Sequence, residues 1–144
     1  MSANNFDQMI ADVRDKFNSG DIDGYIETLY TPDATFHFFP PGLPQGHEGA
    51  RMFYGGFMAA FPNAQFTPDD IIEEGDRIAM RYHLDVTHEG DFQGIPATGK
   101  RARLDGISIL RLENGKVAER WNESDFLSLL QQLGVLPAPV QATS

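Results

Sequence analysis

The period of the hydrophobic pattern changes once along this chain, and that change restricts the fold more than any other feature. In the first half apolar residues recur at spacings of three and four; in the second they alternate. Phe6, Met9, Ile10, Val13 and Phe17 form a helical stripe that stops at Ser19-Gly20. Asp21 is placed to cap a second helix carrying Ile22, Tyr25, Ile26, Leu29 and Tyr30, before Thr31-Pro32 turns the chain out of helix. Residues 34–39 predict a brief aromatic strand containing His37, followed by an irregular loop at Pro40, Pro41, Gly42 and Pro44. Ala50, Phe53, Phe57 and Phe61 predict a third helix over residues 47–61. Gly55 and Gly56 weaken it by roughly 1 kcal/mol each relative to alanine, and a close helix contact would explain them.

Beyond the change, Ile78, Met80, Tyr82, Leu84 and Val86 alternate with polar residues over a long strand. Residues 101–112 and 116–122 predict two more strands joined at Asn114-Gly115, the strongest short hairpin signal, and residues 66–74 predict another. Phe126, Leu129, Leu130 and Leu133 read as a last short helix ended by Gly134, with residues 137–144 as a frayed tail. Helices followed by antiparallel strands make an α+β plan: a cone in which three N-terminal helices cover one face of a curved antiparallel sheet. Residues 1–136 are expected to form one domain. Where the walls stand too far apart for side chains to meet, an apolar pocket remains, and the chain's 11 Phe would line it. Phe36, Phe38, Phe53, Phe57 and Phe61 are the rings expected there, with Phe6 and Phe17 packing the first helix.

Composition removes several function classes. A net charge of −10 opposes approach to nucleic acid or an anionic membrane surface. The absence of cysteine leaves no thiolate nucleophile and no sulfur-based zinc site. The polar, acidic start is unlike a signal peptide, so a cytoplasmic protein is expected. No two His have the spacing of a helical metal motif, and the glycines around Ile95 have no strand-to-helix turn. Neither a metal nor another cofactor is expected.

A dry aromatic pocket raises the pKa of a carboxylate it holds and can move protons unaided. Polar side chains that could face inward are His37, His83, His88, Asp85, Asp105, Ser108, Asn122 and Asp125, with the phenols of Tyr25, Tyr54 and Tyr82. Each has a structural alternative. Asp125 precedes the last helix and can cap it. His83 and Asp85 lie on the polar side of their strand. His88 can bond turn carbonyls, and His37 can be either a core histidine or a pocket imidazole. On the last strand Trp121 shares a face with Val117 and Glu119, while Arg120 and Asn122 share the other; a bulge would exchange the two.

The second half also carries HEGDFQGIPATG from His88 to Gly99, ILRLENGKV from Ile109 to Val117, then Trp121 to Asp125 and LLQQLG from Leu129 to Gly134. With the two-helix start, these words resemble the SnoaL-like polyketide cyclases of the nuclear transport factor 2-like superfamily. The resemblance implies an α+β cone, a homodimer or larger assembly, and cofactor-free aldol ring closure on a polyketide ester. In that reaction an acidic side chain takes the proton alpha to a carbonyl. The position of the family's acid/base Asp is Asn122 here, and that of its imidazole partner is Ser108. His37, His88, Asp105 or Asp125 would then supply the missing acid/base group. Asn122 and Ser108 would orient the carbonyl, and Trp121, Arg120, Tyr25, Tyr54, Phe57 and Met58 would complete the contact with an apolar small molecule. A cofactor-free hydratase, epoxide hydrolase or hydroxylase on the same cone, and a non-catalytic binding module, are the other readings of such a pocket.

Overall fold

The computed structural model describes residues 3–137, so the tail expected over residues 137–144 lies almost wholly outside the described residues. Helix α1 (Ala3–Asn18) and helix α2 (Ile22–Leu29) are followed by strand β1 (Tyr30–Phe36) and helix α3 (Gly46–Ala60). Four strands complete the sheet: β2 (Gln65–Glu74), β3 (Arg77–Thr87), β4 (Arg101–Glu113) and β5 (Lys116–Ser124), before helix α4 (Phe126–Gln132). The expected caps are present. The Asp21 carboxylate accepts from the Gly24 amide at 3.0 Å, and the Asp125 carboxylate from the Ser128 amide at 3.0 Å. At the β4–β5 turn Asn114 and Gly115 both take positive φ, 53° and 82°, as a two-residue hairpin of right-handed twist requires.

Sheet order is β1-β5-β4-β3-β2. β2 to β5 form the expected antiparallel meander, but β1 runs parallel to β5, so the sheet is mixed rather than wholly antiparallel. β1 also begins four residues before the aromatic segment, at Tyr30. Pro32 does not prevent this because β1 is an edge strand, where a missing N–H costs no ladder bond. The strand ends at Phe36, which puts His37 in the following turn.

One face of each central strand is buried: Ile78, Met80, Tyr82, Leu84 and Val86 on β3, and Leu104, Gly106, Ser108 and Leu110 on β4. The helices pack over this face and supply Phe6, Val13, Phe17, Ile26, Leu29 and Leu129 to the same core. Three amide side chains at helix ends fasten the helices to the strands. Asn18 makes both backbone hydrogen bonds of Phe66 (2.7 and 3.2 Å), Gln45 those of Phe36 (2.5 and 3.3 Å), and Gln132 those of Arg103 (both 2.8 Å). Each replaces the strand partner that the edge or end of the sheet lacks. Among the described residues no helix is long and apolar enough to cross a membrane.

Candidate active site

Between the inner face of the sheet and helices α1 to α3 lies a cavity of about 420 Å³. Its walls are mostly rings. Phe17, Tyr25, Phe53, Tyr54 and Phe57 come from the helices, Phe38 from the turn after β1, and Phe66, Tyr82, Leu84 and Leu104 from the sheet. Pro40, Gln93, Glu123, Ser124 and Phe126 complete the lining, with Arg120 and Asn122 reaching in from β5. Phe36 and Phe61, expected in the wall, are instead core residues behind it, whereas Phe17 does more than pack its helix.

Arg120 organises the polar end. It is 5 % exposed, and its five N–H groups all meet neutral oxygens. Nη1 donates to the hydroxyls of Tyr30 (2.6 Å) and Tyr54 (3.1 Å), Nε to Ser108 (3.1 Å), and Nη2 to Ser108 (2.8 Å) and the Asn122 amide oxygen (3.3 Å). The guanidinium carbon stands 5.5 Å from the ring centroid of Phe38 and 5.9 Å from that of Tyr82. Edges are satisfied and faces are covered, yet among the described residues no carboxylate forms an ion pair with it. A buried cation without a counter-charge costs several kcal/mol in desolvation that hydrogen bonds to neutral groups only partly offset.

The neighbours extend the network. Ser108 and Tyr82 donate to the Asn122 oxygen at 2.7 and 2.8 Å, and the Asn122 amide donates to Ser124 at 2.9 Å. Tyr30 and Tyr54 share a hydrogen bond of 2.7 Å, and Tyr25 donates to Tyr54 at 3.3 Å. Gly106, opposite Tyr82 in the β3–β4 register, makes room for this phenol, because a Cβ there would collide with it. Burial pushes the Tyr30 and Tyr54 phenols above their ordinary pKa, so both are neutral hydrogen-bond donors near neutral pH. Burial also opposes the charge on Arg120, but the facing hydroxyls favour it and the group remains cationic.

Several expected residues lie elsewhere. His37 is exposed on the outer face, where Nε2 is 2.7 Å from Glu119 and the ring stacks on Trp121 at 4.8 Å. Trp121 therefore does not wall the cavity. The β-bulge between β4 and β5 leaves Arg120 and Asn122 inward and Glu119 and Trp121 outward. Glu119 is held below the usual carboxylate range by Arg111 and then His37, and Asp69 by His83, both on this outer surface. Asp105 alternates outward on β4 and pairs with Arg103 at 2.9 Å, so it cannot reach the cavity. Asp125 caps α4 and does not line the cavity. His88 is fully buried but behind the wall, against Phe61. Its Nδ1 accepts from the Thr98 amide at 3.2 Å, which puts the ring proton on Nε2, buried with no hydrogen-bond partner among the described residues. Met58 packs on the core away from the cavity.

Tyr25, Tyr54, Phe57, Arg120 and Asn122 are at the cavity, and Ser108 stands directly behind it, bonded to both Arg120 and Asn122. Sequence reasoning missed Tyr30, which read only as the last member of a helical stripe, and Glu123. Glu123 has the parity of the outward residues Glu119 and Trp121 and is exposed, yet it is the only carboxylate lining the cavity among the described residues, which places it at the solvent side of the wall.

Comparison with known proteins agrees with this architecture. Nogalonic acid methyl ester cyclase of Streptomyces nogalater is 29 % identical over 122 residues, covering 82 % of this chain and 89 % of the relative. The structure of TsrD from Streptomyces laurentii superposes with a TM-score of 0.85 at 28 % identity, covering 94 % of this chain and 99 % of that one. IdmH from Streptomyces antibioticus reaches 34 % identity and a TM-score of 0.75 over 90 % of this chain and 98 % of its own. The sequence model for the SnoaL-like polyketide cyclases matches residues 7–133, from the first helix through the last, and the chain belongs to that family.

Proposed function

We propose that this protein closes a ring in a polyketide-like ester by cofactor-free enolate chemistry, with the Arg120 cluster holding the oxygen on which negative charge develops. Preorganised donors and a fixed charge in a water-poor site stabilise such an oxyanion far better than water does. The observation that carries the reading is a buried guanidinium, ringed by tyrosine hydroxyls, at the polar end of an otherwise apolar cavity. Family membership and the likeness to nogalonic acid methyl ester cyclase support it. Hydration or epoxide opening would draw on carboxylates gathered at the floor; among the described residues the floor presents phenols, a serine and amides instead.

In this reading Glu123 at the mouth takes the proton alpha to a carbonyl. The C–H electron pair moves into the carbonyl group, placing charge on the oxygen beside the Asn122 amide and the Arg120 cation. The enolate carbon attacks a second carbonyl, forming the ring bond, and the resulting alkoxide recovers the proton from the Glu123 carboxylic acid. Asn122 orients the carbonyl but carries no proton through the cycle, because an amide does not titrate near neutral pH.

The test is ring closure of an aryl 1,3-diketo ester sized for the cavity, followed by chromatography. The wild-type protein is expected to form cyclised product above the buffer rate, and Glu123→Gln to lower kcat on the order of a hundredfold with little change in KM. Closure at the wild-type rate by Glu123→Gln removes that residue as the base, and no closure by the wild type rejects the reading.

A further inference from the structure

We infer that the cavity takes its ligand as a delocalised oxyanion, the enolate of a 1,3-dicarbonyl or a phenolate, in preference to the neutral form and to a carboxylate. This rests on the cyclase reading above and names the ionisation state in which that substrate class is bound.

Charge comes first. The guanidinium is buried, and every partner it has is neutral: Ser108, Tyr30, Tyr54 and Asn122. Among the described residues nothing in the network supplies a negative charge, so a ligand that brings one completes the site. A neutral ester leaves the cation as uncompensated as before.

Geometry then selects the kind of anion. A carboxylate or phosphate is best held by two parallel N–H bonds from one guanidinium edge. All five N–H groups of Arg120 are already engaged, so no free fork remains for a localised, strongly hydrated anion. What remains is a neutral amide hydrogen. The Tyr54 oxygen already accepts from Arg120 and Tyr25, so its own proton goes to Tyr30, whereas Asn122 gives one amide N–H to Ser124 and, among the described residues, keeps the other for the cavity it lines. A single donor backed by a nearby charge suits an anion whose charge is spread over a flat, largely apolar body, and Phe38, Phe53 and Phe57 provide the matching walls.

The experiment is a titration of 2-naphthol bound to the full-length protein, read by the different absorbance of naphthol and naphtholate. 2-Methoxynaphthalene and 2-naphthoate serve as the neutral and carboxylate comparisons. Bound 2-naphthol is expected to ionise at least about one pH unit below the free compound, which equals tenfold tighter binding of naphtholate than of naphthol. Both comparison compounds are expected to bind at least about tenfold more weakly than naphtholate. Asn122→Asp, a near-isosteric change that places a carboxylate beside the guanidinium, is expected to abolish the shift. The inference fails if naphtholate does not bind, if bound naphthol ionises at or above its free pKa, or if 2-naphthoate matches it. These outcomes are read on the wild-type protein, so they stand even where the variant does not fold. Ring closure without naphtholate preference overturns this inference and leaves the cyclase reading; naphtholate preference without ring closure does the reverse.

Discussion

Tyr30 and Tyr54 are buried phenols, and burial, which disfavours a phenolate, raises the pKa of both. A group whose folded pKa lies above its unfolded value contributes stability that is complete below the unfolded value and is lost as pH rises through the folded one. For these tyrosines the loss begins near the ordinary phenol pKa of about 10. Denaturant unfolding from neutral pH to about pH 11 is therefore expected to show an alkaline decline, and Tyr54→Phe a shallower one. The same variant should be less stable at neutral pH by about 1–3 kcal/mol, since one Arg120 N–H loses its acceptor. Equal alkaline slopes in the two proteins would show that Tyr54 is not the titrating group. At this scale the sequence was only partly legible. It identified Tyr25, Tyr54, Ser108, Asn122 and Arg120 as candidates, but no pattern in it says that Tyr30, Tyr54 and Ser108 converge on one guanidinium from positions up to 90 residues apart. His37 and Asp105 were attractive because of their chemistry, and one alternation step on β4 or one turn after β1 was enough to aim them outward.

Among the elements, α3 shows how similar glycines differ in what they do. Gly49 packs so closely on the turn at Pro44 that a Cβ would collide with the Pro44 carbonyl oxygen, and that contact seats the helix against the loop after β1. Gly55 and Gly56, expected to mark a close helix contact, instead face open space. Gly56→Ala is thus expected to stabilise the protein by about 0.5–1 kcal/mol, through helix propensity alone. Gly49→Ala should destabilise it by more than that gain, because backbone must move. Thermal melts of the two variants check both signs, and destabilisation by Gly56→Ala would show a packing partner at that position. Helices, hairpin and strand alternation were readable because each is a local pattern with a local cause: Asp21 and Asp125 cap, Asn114-Gly115 turns, and β3 alternates. The parallel β1–β5 pairing and the β4–β5 bulge are long-range choices. Only the bulge decides whether Arg120 or Trp121 faces the cavity.

Across the whole molecule, charge is sorted by face. The outer surface of the sheet carries paired ions such as Arg103–Asp105 and Arg111–Glu119, while among the described residues the cation in the cavity, Arg120, has no ion-pair partner. The net charge of −10 therefore says little about the buried end of the cavity, where the charged group among the described residues is the Arg120 cation. A long sheet bent over three helices leaves about 420 Å³ unfilled, enough for a bicyclic or tricyclic body whose polar edge meets Arg120. The central claim is that this buried guanidinium and its tyrosines stabilise a carbon acid's conjugate base. Its most direct measurement is exchange of the alpha hydrogens of an aryl 1,3-keto ester for deuterium in D₂O, followed by proton NMR. Wild-type protein is predicted to accelerate the exchange over buffer, and Arg120→Gln, with its circular dichroism spectrum retained, to lose on the order of a hundredfold of that acceleration. Exchange at the buffer rate with the wild-type protein, or undiminished exchange in the folded variant, would contradict the account.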